Sequence, residues 1–269
     1  MKNKFLKMAV TGLVLSVSGF ANAGLILVVS DATTDTSIGT ALSNAGHSVD
    51  TSINQYNSGE TLALLNDLTS YDAVYWSATG NGYGDLNNSA AMFSNLTNYA
   101  NGGGNIFVTG YDSISSPNDP TLIAFLGGSN NIDNGSAPNA IANIENSLTT
   151  GLFDIRGLTP STTGNQTTDR DSLGGLGGDT VGIVESGFAG SYYWTLRTIG
   201  LGEVAYVSNG NHIGALESEN WTDSNSPYHM AVLNFAHNAG TVDVPAPSTL
   251  AILSLGLMGL AARRFKKQA

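Results

Sequence analysis

Short apolar runs alternate with amphipathic segments through the first half of the chain, and this alternation restricts the folds open to it. Residues 25–29 form a continuous apolar run, typical of a strand covered on both faces. A segment with apolar residues at helical spacing follows over 37–45, and Gly46 is placed to end it. Because parallel strands need long crossovers, repetition of this unit predicts an α/β fold: a mostly parallel sheet with helices on both faces.

The remaining segments extend the pattern along the chain. We predict strands at 25–29, 47–53, 72–77, 106–110, 180–185, 192–198 and 203–208, and helices at 37–45, from Asn57 onward, at 88–100, 122–126 and 228–238. The middle of the chain, over 115–178, is rich in Asn, Gly, Ser, Thr and Asp. We therefore expect long loops there, interrupted by the short helix alone.

The N-terminus has the composition of an export signal. Three lysines lie within the first seven residues, and an apolar run covers 8–20. Ala21 and Ala23 then form the small-x-small cleavage motif that a signal peptidase accepts. The apolar run is too short to span a bilayer unaided. We predict that residues 1–23 are a signal peptide with a helical core, removed on export.

The C-terminus has the composition of a short membrane anchor. Pro245 and Pro247 mark the end of the folded body, and residues 246–262 carry no charge. Arg263 and Arg264 follow at once, and such a basic cluster stays cytoplasmic. The sequence thus predicts a hydrophobic helix over 246–262, with the body on the outer side of the inner membrane.

This tail, residues 244–269, resembles the PEP-CTERM sorting signal: a proline motif, a short hydrophobic helix and an arginine-rich end. Ala246 stands where the name-giving motif has a glutamate. The resemblance implies an exosortase that cleaves near the prolines, a transient inner-membrane anchor, and delivery to the cell surface or the extracellular matrix. The alternative is a plain single-span anchor that is never cut.

The body between the two ends, residues 24–243, is strongly acidic. It holds all 21 acidic residues of the chain against three arginines, which gives a net charge of about −18. Such a surface repels nucleic acid and anionic membranes. The chain has no cysteine, which excludes disulfides, a lipid anchor and thiol catalysis.

Three short stretches of the body, YDAV at 71–74, GGGNI at 102–106 and GYD at 110–112, resemble the class I glutamine amidotransferase-like superfamily. The similarity covers roughly residues 25–112 and implies a flavodoxin-like three-layer sandwich. In that superfamily a catalytic cysteine sits on the turn after a strand, within a G-x-C-x-G elbow. Here Tyr111 occupies the corresponding turn, so the thiol chemistry is absent.

Polar residues follow the predicted strands where open α/β sheets place their ligands. Asp31, Tyr111, Asp112 and His212 are the candidates for such a pocket. The four histidines of the chain show neither H-x-x-x-H nor H-E-x-x-H spacing, so no zinc site is predicted.

Residues 174–182 match the nine-residue calcium-repeat pattern G-G-x-G-x-D-x-U-x. Asp179 lies within the match, and Asp169 and Asp171 precede it, which supplies the oxygen ligands that calcium prefers. Calcium β-helices need stacked repeats, and the chain has one copy. We therefore predict no cofactor, with calcium at these three aspartates as the alternative.

No catalytic set is assembled by these motifs, so we expect an exported surface or matrix protein that is not an enzyme. Its partners are signal peptidase and exosortase during processing, the inner membrane before cleavage, and extracellular polysaccharide afterwards. The alternative is an exported hydrolase or carbohydrate-active enzyme on an amidotransferase-like scaffold that lacks the cysteine.

Overall fold

Helices and strands follow one another in the described part of the chain largely as the apolar pattern predicts. The computed structural model describes residues 24–30, 37–53, 65, 67–77, 89–110, 114, 119–134, 137–160, 170–208 and 221–239. The elements are β1 (Leu25–Ser30), α1 (Ser37–Asn44), β2 (Ser48–Ile53), β3 (Ala73–Ser77), α2 (Ala90–Asn101), β4 (Asn105–Gly110), α3 (Pro120–Phe125), β5 (Asn130–Asn134), β6 (Arg170–Gly174), β7 (Thr180–Glu185), β8 (Ser191–Ile199), β9 (Gly202–Ser208) and α4 (Pro227–Ala239).

Five strands form the parallel half of the sheet, in the order β2-β1-β3-β4-β9. The pairing aligns Ser30 with Ser77, and Ser77 with Thr109, so these strands end at one common edge. Helix α2 connects β3 to β4, and its N-terminus is capped by Ser89, whose hydroxyl accepts a hydrogen bond from the Met92 backbone N–H at 3.4 Å.

The other half of the sheet is antiparallel, which corrects the prediction of a mostly parallel sheet. Strand β8 pairs antiparallel with β6, β7 and β9, and β5 pairs antiparallel with β6. Residues 200–201 connect β8 to β9, and 186–190 connect β7 to β8. These links are far shorter than the dozen or so residues of a parallel crossover, so the strands must form hairpins.

Both faces of the sheet are covered, as the strand composition requires. Alternate residues of β1 point to opposite sides: Ile26 lies in a core with α1 and α4, whereas Leu27 lies in a core with α2 and α3. Each fully buried aliphatic side chain contributes roughly 1.5–3 kcal/mol. The described residues thus form the helix–sheet–helix layers that were predicted for an α/β sandwich.

The middle of the chain contains two strands where only loops were predicted. Strand β5 reads NNIDN and β6 reads RDSLG, so each carries one large apolar residue and no alternating pattern. They form by pairing with each other and with β8 rather than by local preference. The start of the helix predicted from Asn57 onward lies outside the described residues. Of its expected course, Leu65 is described in a turn and residues 67–68 are irregular, so no helix is seen there.

Within the part of the chain that the structure describes, each helix is too short or too polar to cross a bilayer. The signal segment 1–23 and the hydrophobic segment 246–262 both lie outside those residues. Their helices, and the boundaries of the body at 24–243, remain predictions from the sequence.

Candidate functional site

Small hydroxyl residues occupy the carboxyl ends of the parallel strands. Thr109 at the end of β4 is buried, and its Oγ1 donates to the carbonyl of Val207 on β9 at 2.6 Å. Ser208, the last residue of β9, is fully buried, and its Oγ has no hydrogen-bond partner among the described residues. This edge therefore holds polar groups in an otherwise apolar layer, where open α/β sheets bind their ligands.

The four predicted pocket residues follow these strand ends in the sequence. Asp31 comes directly after β1, Tyr111 and Asp112 come directly after β4, and His212 lies four residues beyond β9. All four lie outside the described residues, so the pocket stays a prediction. The described strands bring their points of attachment to one edge of the sheet.

Arg170, which opens β6, is a fully buried charged residue. Its side chain is 0% exposed, and its guanidinium carbon lies 5.5 Å from the centre of the Tyr193 ring. Burial raises the pKa of Tyr228, while the positive charge of Arg170 acts against that rise. Tyr228 in turn contacts Trp194 and Trp221 edge to face.

Asp171, one of the three predicted calcium ligands, points to the opposite face from Arg170. It is 1% exposed, and its Oδ2 accepts a hydrogen bond from the Ile114 backbone N–H at 3.3 Å. The hydroxyl of Tyr206 donates to the Asp171 backbone carbonyl at 3.0 Å. These contacts tie β6 to the end of β9 and to the segment after β4.

Asp179, the second predicted calcium ligand, belongs to a surface ion pair. Its Oδ2 accepts from Arg197 Nε at 2.9 Å, and its Oδ1 accepts from Thr180 Oγ1 at 3.0 Å. Burial raises the pKa of Asp179, but the hydrogen bonds from Arg197 and Thr180 outweigh it and lower the pKa overall. Arg197 also donates to the carbonyls of Ala124 and Phe125, which caps the C-terminus of α3.

The described ranges contain no group of three or more His, Asp or Glu residues able to hold a metal ion. Asp169 lies outside those ranges, so the calcium hypothesis at Asp169, Asp171 and Asp179 stays open. What the structure shows is that the two described aspartates already accept hydrogen bonds from the protein.

The described histidines contact other parts of the fold. His47 precedes β2 and faces His237 near the end of α4; burial lowers the pKa of His47, and the charge of His237 lowers it further. The Nδ1 atom of His229 hydrogen-bonds to the carbonyl of Trp221.

The C-terminal tail matches a known protein family. The family described as PEP-CTERM protein-sorting motif matches residues 243–267. The tail is a PEP-CTERM sorting signal. The matched stretch contains Pro245, Ala246, Pro247, Arg263 and Arg264, and it marks the chain as an exported protein that an exosortase sorts to the cell envelope. No curated protein matches the chain.

Solved structures resemble the body in fold. A cytoplasmic protein of Salmonella typhimurium LT2 (STM1381) aligns with a TM-score of 0.50 at 12% identity, over 81% of this chain and 99% of that one. ThuA-like proteins from Bacteroides uniformis and Parabacteroides merdae each align with a TM-score of 0.47 at 12% identity. Each alignment covers 82% of this chain, with 92% of the first protein and 91% of the second. At this identity the likeness concerns the α/β fold alone.

Sequence reasoning missed Arg170. Its strand has no apolar alternation, so the residue was assigned to a loop. One signal was available in the sequence: the acidic body holds only three arginines, and Arg170 is one of them. An arginine in such a chain is expected to have a specific structural or binding role.

Proposed function

We propose that this chain is an exported envelope protein whose α/β body binds matrix polysaccharide without catalysing a reaction. The sorting motif at 243–267 carries the proposal, because it directs an exosortase substrate to the envelope, where the matrix is. Before cleavage, the hydrophobic segment 246–262 anchors the body to the inner membrane. Signal peptidase removes residues 1–23.

Two features of the body favour binding over catalysis. The chain has no cysteine, so the nucleophile of the amidotransferase-like superfamily is missing. The described carboxylates of Asp171 and Asp179 accept hydrogen bonds from the protein, and His229 Nδ1 hydrogen-bonds to the carbonyl of Trp221. These groups therefore make contacts within the fold. A body with a charge of about −18 also suits neutral rather than acidic polymers, since like charges repel.

Sorting is tested by the intact mass of the protein from washed cells and from medium, beside a strain that lacks its exosortase. We expect a species that begins at Gly24 and ends near Pro247, and we expect it to be lost in the mutant. A mass that retains Arg263 in both strains would show an uncut anchor and contradict sorted release.

Binding is tested by retention of the full chain on polysaccharide prepared from the matrix of the same cells. We expect retention that survives washing in 0.5 M salt (about three times physiological ionic strength), since a neutral ligand is insensitive to screening. Release of new reducing ends from the polysaccharide would instead support the alternative, an exported hydrolase.

A further inference from the structure

A surface hollow of about 250 Å³ lies between helix α2 and the segment before β3. It is lined by Leu65, Leu68, Thr69, Asn95, Asn98 and Tyr99. The last two residues lie in the final turn of α2, just before β4 begins, so the hollow is at the amino edge of the sheet. It is therefore at the opposite end of the domain from the predicted pocket.

The floor of the hollow is apolar and fixed in place. Leu65 and Leu68 are buried, and the Tyr99 hydroxyl donates to the carbonyl of Tyr71 at 3.0 Å. The Tyr99 ring packs directly on Gly104, where an added Cβ would lie 2.3 Å from ring atoms. A glycine at 104 therefore permits this ring position, and the hydrogen bond holds the ring as a rigid apolar surface.

The rim of the hollow is polar and carries no positive charge. Asn95 and Asn98 are three residues apart on α2 and so lie on one face of the helix. Asn98 is exposed, and within the described part of the chain its side-chain amide makes no hydrogen bond. Across the hollow, the Thr69 hydroxyl donates to Asp67 Oδ1 at 2.9 Å and keeps its lone pairs as acceptors.

The apolar floor and the polar rim together favour one class of ligand. An amide offers donors and an acceptor side by side, which matches neighbouring hydroxyl groups, and an apolar floor matches the C–H face of a ring. None of the described residues that line the hollow is Lys or Arg, and the carboxylate of Asp67 hydrogen-bonds to the lining Thr69, so an anionic ligand would lack a partner. The volume is slightly below the roughly 300–1,000 Å³ of sites for drug-sized ligands, which suits one ring.

We propose that this hollow binds one neutral sugar unit of a polysaccharide chain. The C–H face of the sugar packs on Tyr99 and the two leucines, and its hydroxyls hydrogen-bond to Asn98 and Thr69. The proposal rests on the proposed polysaccharide-binding function and assigns it a site.

The test compares the full chain in mild detergent with two variants on immobilised dextran, mannan and galactan, with alginate as the anionic probe. We expect Asn98→Ala to weaken binding to a neutral polymer about fivefold, the effect of one hydrogen bond. Asn101→Ala is the matched control, because Asn101 is an exposed asparagine on the same helix outside the hollow. Its binding should equal that of the wild type.

The outcomes separate the two proposals. If the wild type binds a neutral polymer and Asn98→Ala binds it equally well, the hollow is not the site, while the binding function stands. Binding to alginate alone would overturn the neutral-sugar assignment. If the wild type binds none of the four polymers or the matrix polysaccharide of its own cells, the proposed function fails and the site fails with it.

Discussion

Asn234 of α4 holds an irregular segment against the sheet. Its side chain is fully buried, accepts from the Phe153 N–H at 2.8 Å, and donates to the carbonyls of Leu148 and Phe153 at 3.1 and 2.9 Å. Asn234→Ala leaves these backbone groups buried without a partner. We expect the free energy of unfolding in urea to fall by about 2–4 kcal/mol.

Asn143→Ala is the control for this variant, because Asn143 is an exposed asparagine of the same segment. Its free energy of unfolding should stay within about 0.5 kcal/mol of the wild type. Equal stability of the two variants would mean that the segment is not held by Asn234.

The ion pair of Asp179 and Arg197 predicts a pH dependence. Because the folded pKa of Asp179 is lowered, its contribution is present above the unfolded pKa of about 3.9 and is lost as the pH falls through the folded pKa. Asp179→Asn should therefore cost less than about 1 kcal/mol at pH 7, since the carboxylate is nearly half exposed. Urea unfolding of both proteins should converge below about pH 3, and a difference constant with pH would contradict the ion pair.

At the scale of elements, the β8–β9 hairpin meets the α2–β4 turn at Gly202. A Cβ at this position would lie 2.1 Å from the Gly104 carbonyl oxygen and 2.6 Å from that of Ala100. Both are backbone atoms, so Gly202→Ala must force the two turns apart. We expect a loss of about 3 kcal/mol in thermal or urea unfolding.

Gly178→Ala is the matched control for this contact. Gly178 lies in the turn between β6 and β7, and an added Cβ there meets nothing within 4 Å. Its stability should stay within about 0.5 kcal/mol of the wild type. A Gly202→Ala protein as stable as this control would show that the two turns do not pack closely.

Elements with a clear apolar periodicity in the sequence were predicted well, and those without such a periodicity were missed. Strand β7 begins and ends where predicted, and β1 and β9 differ by one residue at one end. Strands β5 and β6 have no apolar alternation and form by pairing with each other, while β6 also pairs with Ser191 and Tyr192 at the start of β8. The antiparallel half could also have been deduced from the link between β8 and β9. This link has two residues, and a parallel crossover needs a dozen or more.

For the molecule as a whole, the tail could be identified from the sequence, whereas the hollow proposed to bind a sugar could not. The sorting signal is local, since its prolines, apolar run and arginines follow one another within 243–267. The hollow joins Leu65 to Asn95 and Asn98, thirty or more residues apart, and none of them stands in a recognisable motif. Such a site depends on how α2 packs beside the segment before β3, which periodicity alone does not determine.

The acidity of the whole body predicts how salts act on its stability. With 21 acidic residues against three arginines over 24–243, self-repulsion destabilises the folded state, and added salt should screen it and raise the thermal unfolding midpoint. Calcium and magnesium chloride at about 10 mM should raise the midpoint equally, within about 1 °C, if they act by screening alone. We expect this equality because Asp171 and Asp179 already accept hydrogen bonds from Ile114 and Arg197. An additional shift of about 2–4 °C with calcium, lost in Asp179→Asn, would instead reveal a calcium site at these aspartates.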